Sequence, residues 1–220
     1  AAFRGHASLK HVVIVDDDSP DGTGELADKL AKTHRGRVHA VHRFGRRGRG
    51  LAGVEGFQYC LDIPVDCIIE MDADLSHDPL DIPRLLAAAE DADVVMGSRY
   101  VKGGGELNRL WYRRVISRLA NRYLRLALGV GIRDCSSGYR CFRRHVLASI
   151  DLERITSPGP SILTEILWQC KLHHFRVKEI PITFRERELG ESKLSGQILL
   201  KSLMLPLALR FGRRSGTRLA

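Results

Sequence analysis

The 220-residue sequence has no apolar run of the about 18 to 20 residues that a membrane-spanning helix needs. Its five cysteines, Cys60, Cys67, Cys135, Cys141 and Cys170, are odd in number and form no CxxC pair. That excludes a disulfide scaffold or zinc ribbon and favours a reducing compartment. No internal repeat or low-complexity segment is present, and the nine histidines, the His173-His174 pair included, show no metal-ligand spacing. The glycine-rich stretch Arg46-Arg47-Gly48-Arg49-Gly50 is not a Walker loop, because no Gly-Lys-Ser/Thr follows it. There is no initiator Met either: the chain begins Ala1-Ala2-Phe3, and the expectation is that a native N-terminal segment is absent.

What is present suits one ordinary folded domain: 44% hydrophobic and 28% charged residues, enough to bury a core without staples. Lys and Arg total 35 against 26 Asp and Glu, a net +9. That excess favours an anionic partner: nucleic acid, lipid headgroups or a phosphorylated small substrate.

Short apolar runs alternate with helical patterns, which predicts an α/β fold. Val12-Val13-Ile14-Val15 is apolar on both faces, like a buried parallel strand. Further strands are predicted at Val38 to Val41, Cys67 to Met71, Asp93 to Met96 and Ile180 to Phe184, with an extended piece at Phe175 to Val177. Helices are predicted after Leu26, from Leu51 to Leu61, from near Pro79 to Ala89, from Tyr112 to Leu128, from Ile162 to Leu172 and from Leu194 to Phe211. Gly103-Gly104-Gly105 reads as a flexible loop. Three strands end in polar clusters: Asp16 to Asp21, Asp72 to His77 and Gly97 to Arg99. Ligands of open parallel sheets lie beyond the carboxyl ends of strands, so the three clusters predict one site.

Two carboxylates one residue apart, Asp72 and Asp74, can hold Mg²⁺, which leaves the rest of its shell to water and diphosphate. The same pair would equally serve as a solvated cap on the next helix. Asp16 to Thr23 reads as turn chemistry; a calcium loop is disfavoured, because a strand rather than a helix precedes it. Arg46 to Gly50 suits a phosphate cradle, an RNA-binding patch or a solvated basic loop. On the Tyr112 helix, Arg114, Arg118, Arg122 and Arg125 fall within one ~80° stripe at about 100° per residue. Val115, Ile116, Leu119, Ala120, Tyr123, Leu124 and Ala127 take the other side, the face expected to be buried. Guanidinium forks suit phosphate oxygens, although a surface helix made soluble by arginine fits the same pattern. Arg185, Arg187, Glu191 and Lys193 form a polar segment in which Gly190 permits mobility.

Together the stretches VIVDDDSPDGT (13–23), MDADLSHDP (71–79), VVMGSRY (94–100), ISRLAN (116–121), DCSSGYRCFRR (134–144) and FRERELGESK (184–193) resemble the dolichyl- and polyprenyl-phosphate mannosyltransferases, inverting family-two glycosyltransferases. The resemblance implies a GT-A fold, a Rossmann-like and mostly parallel sheet flanked by helices, here lacking the first strand and helix. It implies a glycosyltransferase domain over 1–193 and an amphipathic or apolar helix with a basic tail over 194–220. It implies transfer of mannose from GDP-mannose to dolichyl or polyprenyl phosphate with inversion, assisted by Mg²⁺ or Mn²⁺. The location implied is the cytoplasmic membrane surface, on anionic lipid or a membrane-embedded partner, with no nucleic acid.

Position by position, Val15 and Asp17 match nucleotide contacts, and Asp72, Ala73 and Asp74 match the metal and diphosphate motif. Arg99 matches an arginine of the sugar-nucleotide site, and Arg118 one near the lipid phosphate. Arg187 and Lys193 match a mobile acceptor-loop pair, so that Asp74, Arg187 and Lys193 are the implied catalytic groups. Position 76 is Ser where some relatives place a metal-binding Gln, which sets Ser76 aside as a third ligand. Two rival classes follow from the same residues. A catalytically inactive binding subunit of a membrane glycosyltransferase complex would explain the absent first strand. A basic nucleic-acid-binding protein would explain the charge, against its acidic clusters and the few aromatics near the basic loop.

Overall fold

A computed structural model describes residues 10–45, 47–155, 157, 159, 161–186 and 196–211, the side chains of 196–202 excepted. The chain alternates strand and helix from the start: β1 (Val12–Asp16), α1 (Thr23–Thr33), β2 (Val38–His42), α2 (Arg49–Leu61) and β3 (Cys67–Glu70). A 3-10 turn at Pro79–Asp81 leads into α3 (Ile82–Ala88), then β4 (Val94–Ser98), β5 (Gly105–Leu107) and α4 (Trp111–Leu128). There follow β6 (Arg140–Arg143), α5 (Arg144–Ser149), α6 (Ile162–Leu172), β7 (Val177–Pro181), β8 (Thr183–Arg185) and α7 (Gly196–Phe211).

The central sheet has the order β3-β6-β4-β7. β4 and β7 are parallel, while β6 runs antiparallel between β3 and β4, so β3 and β4 point the same way. β1 with β2, and β5 with β8, make two further parallel pairs. Alternation along the strands splits the core between the two sheet faces. Ile68, Val94, Met96 and Phe142 face one way and pack with Phe57 of α2, Val146 and Leu147 of α5, and Ile166 of α6. Val95, Cys141 and Ile69 face the other way and pack with Ile82 and Leu85 at the start of α3. Helices on both faces of a largely parallel sheet make this an α/β fold of the doubly covered kind.

Four sequence expectations change. β6 and α5 carry no separate sequence signal: Arg140 and Arg143 flank Cys141 and Phe142, with no apolar-polar alternation, in a strand preceded by a serine-glycine loop. Val12 to Val15 are half-buried, not buried, because among the described strands β1 pairs only with β2. Gly103 to Gly105 is not a free loop. Gly105 opens β5, and a Cβ at Gly104 would lie 2.4 Å from the Ser98 carbonyl, so the close backbone approach itself requires glycine. The apolar side of α4 is also not a buried face: Val115, Ile116 and Leu119 are exposed, and only Asn121, Ala127 and Leu128 are buried. α7 meets α4 near its C-terminal end, where Arg210 Nη1 donates to the Leu126 and Ala127 carbonyls at 2.9 and 3.1 Å.

Candidate active site

The carboxyl ends of β3 and β4 lie side by side across β6, and the polar clusters that follow them meet there. After β3, Asp72 sits at a bend held by His77, whose Nδ1 accepts the Asp72 backbone N–H at 3.0 Å. His77 is buried and stacks on Tyr139 at 4.9 Å. Burial holds its pKa below the usual histidine value, which keeps the ring neutral and Nδ1 an acceptor. The Asp74 carboxylate accepts the Ser76 backbone N–H at 3.1 Å, and Asp78 caps the 3-10 turn by accepting from Leu80 N–H at 3.0 Å. Leu75, between them, is exposed and stands in the left-handed region at φ 65.

Beyond β4, Arg99 is buried against Asp134, with Nε 2.8 Å from Oδ2 and Nη2 2.7 Å from Oδ1. Its Nη2 also donates to Ser136 Oγ at 2.8 Å. The ion pair and hydrogen bonds outweigh burial and hold the guanidinium firmly charged. The two clusters touch through Phe184, whose ring lies 5.9 Å from His77 and 5.3 Å from the Arg99 guanidinium.

Arg99 opens onto a cavity of about 730 Å³, lined also by Arg118, Arg122 and Arg125 of α4 and by Arg133. Three arginines of the predicted stripe therefore converge on one cavity. The fourth does not line it: Arg114 Nη2 donates to the Glu106 carbonyl at 3.2 Å.

The ends of β1 and β2 form the third cluster. Val15 is half-buried in β1, with α2 passing over it so closely that a Cβ at Gly56 would lie 3.0 Å from Val15 Cγ2. Asp17 accepts from Arg43 and from the Gly48 backbone N–H, which ties the basic loop to the strand end. Arg47 reaches Asp18 in the same way. Sequence reasoning missed Arg43, and it placed Arg49 in the basic loop as a phosphate or nucleic-acid contact without its carboxylate partners. Arg49, at the start of α2, lies 2.9 Å from Asp72 Oδ1 and 3.4 Å from Glu70 Oε1. It missed Glu70 and Arg140 as well, register partners in β3 and β6. Arg140 is buried and donates to the carbonyls of Ser137, Leu163 and Cys135 at 2.7 to 3.0 Å. A strand pattern alone signals neither residue.

Among the described residues no group of three or more His, Cys, Asp or Glu side chains is arranged to hold a metal. Asp72 and Asp74 remain a two-carboxylate donor set of the hard kind that suits Mg²⁺ or Mn²⁺, with the remaining shell left to substrate and water. Ser76 Oγ and Glu70 Oε2 are buried oxygens with no hydrogen-bond partner among the described residues. Ala73 lies between the two aspartates, exposed. Arg187 and Lys193 lie outside the described residues.

The model of the family Glycosyl transferase family 2 matches residues 3–151. The chain belongs to that family. It is a glycosyltransferase, and the expected fold holds: solved structures of glucosyl-3-phosphoglycerate synthase from Mycobacterium tuberculosis superpose with a TM-score of 0.64, at 17% identity, over 90% of this chain and 69% of that one. Another structure of that synthase contains Mn²⁺, UDP-glucose and glycerol 3-phosphate, with a TM-score of 0.60 at 18% identity over 91% of this chain and 68% of that one. By sequence the chain is 47% identical to the polyprenol monophosphomannose synthase of Mycolicibacterium smegmatis, over 88% of this chain and 73% of that protein. It is 44% identical to the undecaprenyl-phosphate mannosyltransferase of Micrococcus luteus, over 86% of this chain and 77% of that protein. A dolichol-phosphate mannosyltransferase of Pyrococcus furiosus is 39% identical over 87% of this chain and 53% of its own length.

Proposed function

We propose that this glycosyltransferase moves mannose from GDP-mannose to a polyprenyl phosphate, with inversion, at the cytoplasmic face of a membrane. The observation that carries the reading is the cavity where Arg99, Arg118, Arg122, Arg125 and Arg133 converge, joined through Phe184 to the Asp72–Asp74 bend. One end offers carboxylates for a cation and diphosphate; the other offers guanidiniums for a second anion. The relatives named as mannosyltransferases of lipid phosphates support the choice of sugar and acceptor.

In this reading Val15 and Asp17 line the nucleotide site, and Ala73 and Arg99 the diphosphate and sugar. Arg118, with its neighbours on α4, holds the acceptor phosphate. A phosphate acceptor is already ionised near neutral pH, so no strong general base is required, and among the described residues the cavity lining holds no carboxylate or histidine. The acceptor oxygen attacks the anomeric carbon on the face opposite the diphosphate. The work left to the protein is positioning and charge stabilisation. Asp72 and Asp74 would hold the divalent ion, which when bound supplies Lewis-acid neutralisation of the leaving diphosphate. Arg187 and Lys193 would close over the same charge and exclude water. Residues 1–193 would be the catalytic domain and 194–220 the membrane-proximal end.

Surface chemistry supports the location. α4 exposes Trp111, Ile116, Leu119 and Leu126, and α7 exposes Leu203, Met204 and Phe211. Such apolar and aromatic side chains interleaved with arginines suit the headgroup boundary of a bilayer. No helix among the described residues is long and apolar enough to cross one.

The decisive experiment is transfer of labelled mannose from GDP-mannose to a short polyprenyl phosphate with Mg²⁺ or Mn²⁺ present. Mannolipid of inverted anomeric configuration is expected, and Asp74→Ala is expected to lose it. Transfer from UDP-glucose with none from GDP-mannose would overturn the donor. Transfer from neither would overturn the reading.

A further inference from the structure

A guanidinium stands against the Asp72 carboxylate. Arg49 reaches it from the first turn of α2, with Nε 3.3 Å and Nη2 2.9 Å from Asp72 Oδ1. The same Nη2 lies 3.4 Å from Glu70 Oε1 in β3. The loop before β6 is shaped around this contact: a Cβ at Gly138 would lie 2.5 Å from Arg49 Nη2 and 3.5 Å from Asp72 Oδ2. Three separate elements thus build a slot for one guanidinium against two carboxylates. The slot is nevertheless unsaturated, since Arg49 Nη1 and Glu70 Oε2 are buried with no hydrogen-bond partner among the described residues. A fully structural ion pair would satisfy both.

We infer that Arg49 is a built-in counter-cation that competes with the divalent ion for Asp72, so that metal loads only as the guanidinium leaves the carboxylate. The inference rests on Asp72 and Asp74 being the metal ligands. Its physical basis is that Arg49 already holds Asp72 Oδ1 at 2.9 Å, so a divalent ion on either oxygen of that carboxylate would stand within a few ångströms of the guanidinium and be repelled by it. A nucleotide diphosphate resolves the conflict, because it brings oxygens to the ion and an anion for the displaced fork. Metal and nucleotide then load together, and free metal alone binds weakly.

The test is binding of Mn²⁺ alone to the full chain, followed by the loss of the free-ion electron paramagnetic resonance signal. Arg49→Gln is expected to tighten Mn²⁺ binding by about tenfold or more, the scale of removing one like charge a few ångströms away. Arg49→Lys, which keeps the charge, is expected to stay near the wild-type affinity. Glu70 is left buried without its partner in Arg49→Gln, so Arg49→Gln/Glu70→Gln serves as the variant with a neutral slot, and near-ultraviolet circular dichroism checks its fold. Adding Asp72→Asn should abolish the gain in either background. If both neutral variants bind Mn²⁺ no tighter than wild type while Asp72→Asn weakens binding, the competition is overturned and the metal assignment stands. If wild type and every Arg49 variant bind none, the competition and the metal assignment both fall.

Discussion

Arg99 and Asp134 form a buried two-pronged ion pair that fastens the carboxyl end of β4 to the loop ahead of β6, and the Arg99 backbone N–H donates to the same carboxylate at 2.9 Å. Neither side chain is more than 7% exposed. Removing one partner strands a buried charge, so Asp134→Ala is expected to cost about 3–5 kcal/mol of stability. Urea unfolding measures it; an unchanged midpoint would show that Arg99 finds another partner.

Leu75 holds a left-handed backbone at φ 65 while its side chain is exposed, so nothing in the core depends on that side chain. A branched residue there carries a local steric cost of about 1–2 kcal/mol, and glycine carries none. Leu75→Gly is therefore expected to raise the urea midpoint with an unchanged slope, the net gain falling to roughly 1 kcal/mol once the freedom of glycine in the unfolded chain is counted. A lower midpoint would mean that the bend does not store this strain.

Two histidines are expected to titrate on opposite sides of the ordinary value. His42 is raised by its hydrogen bond to Asp28, 2.9 Å away, and His77 is lowered by burial. A raised folded pKa adds stability that is complete below the unfolded value of about 6.5 and is lost as pH rises through the folded value. His77 acts in the opposite sense: below about 6.5 the unfolded chain binds a proton that the folded chain refuses, so stability falls as pH drops. Proton resonance of the two rings against pH measures both. Asp28→Asn should return His42 toward the ordinary value and leave His77 where it was.

The five free thiols are expected to differ in reactivity. Cys67, half-buried in β3, is held below the usual thiol value by the hydrogen bond from Cys141 on the neighbouring strand. Burial pushes Cys60 up to about 11 and Cys135 and Cys170 up to about 12. Because the thiolate is the nucleophile, Cys67 should be alkylated first near neutral pH. Cys141→Ala should slow that reaction; mass-spectrometric mapping of iodoacetamide adducts decides it.

Membrane attachment through α4 is expected to respond to charge and to salt. Arg122→Glu/Arg125→Glu should reduce co-sedimentation with anionic vesicles, and raised ionic strength should do the same to wild type. Binding to neutral and anionic vesicles alike, unaffected by salt, would assign the attachment to apolar contact alone.

Strand ends, helix spans and family motifs were legible in the sequence because periodicity and turn chemistry are local. VIVDD, MDAD and VVMGSR each announce a strand that finishes in polar residues, and the arginine stripe of α4 follows from helical spacing alone. The burial of that helix's apolar side could not be read the same way: periodicity says which residues share a face, not whether another element covers it, and Val115, Ile116 and Leu119 stand exposed. Tertiary structure decided the partners. β6 inserts antiparallel between β3 and β4, which sets the Asp72 and Arg99 clusters side by side and buries Arg140 next to Glu70 in register. Arg49 and Asp72 are 23 residues apart, and the glycine that makes room for their contact comes from a third segment. Sequence pattern reports the conformation of a segment; an ion pair across segments depends on how the strands are ordered, and only the packed sheet fixes that.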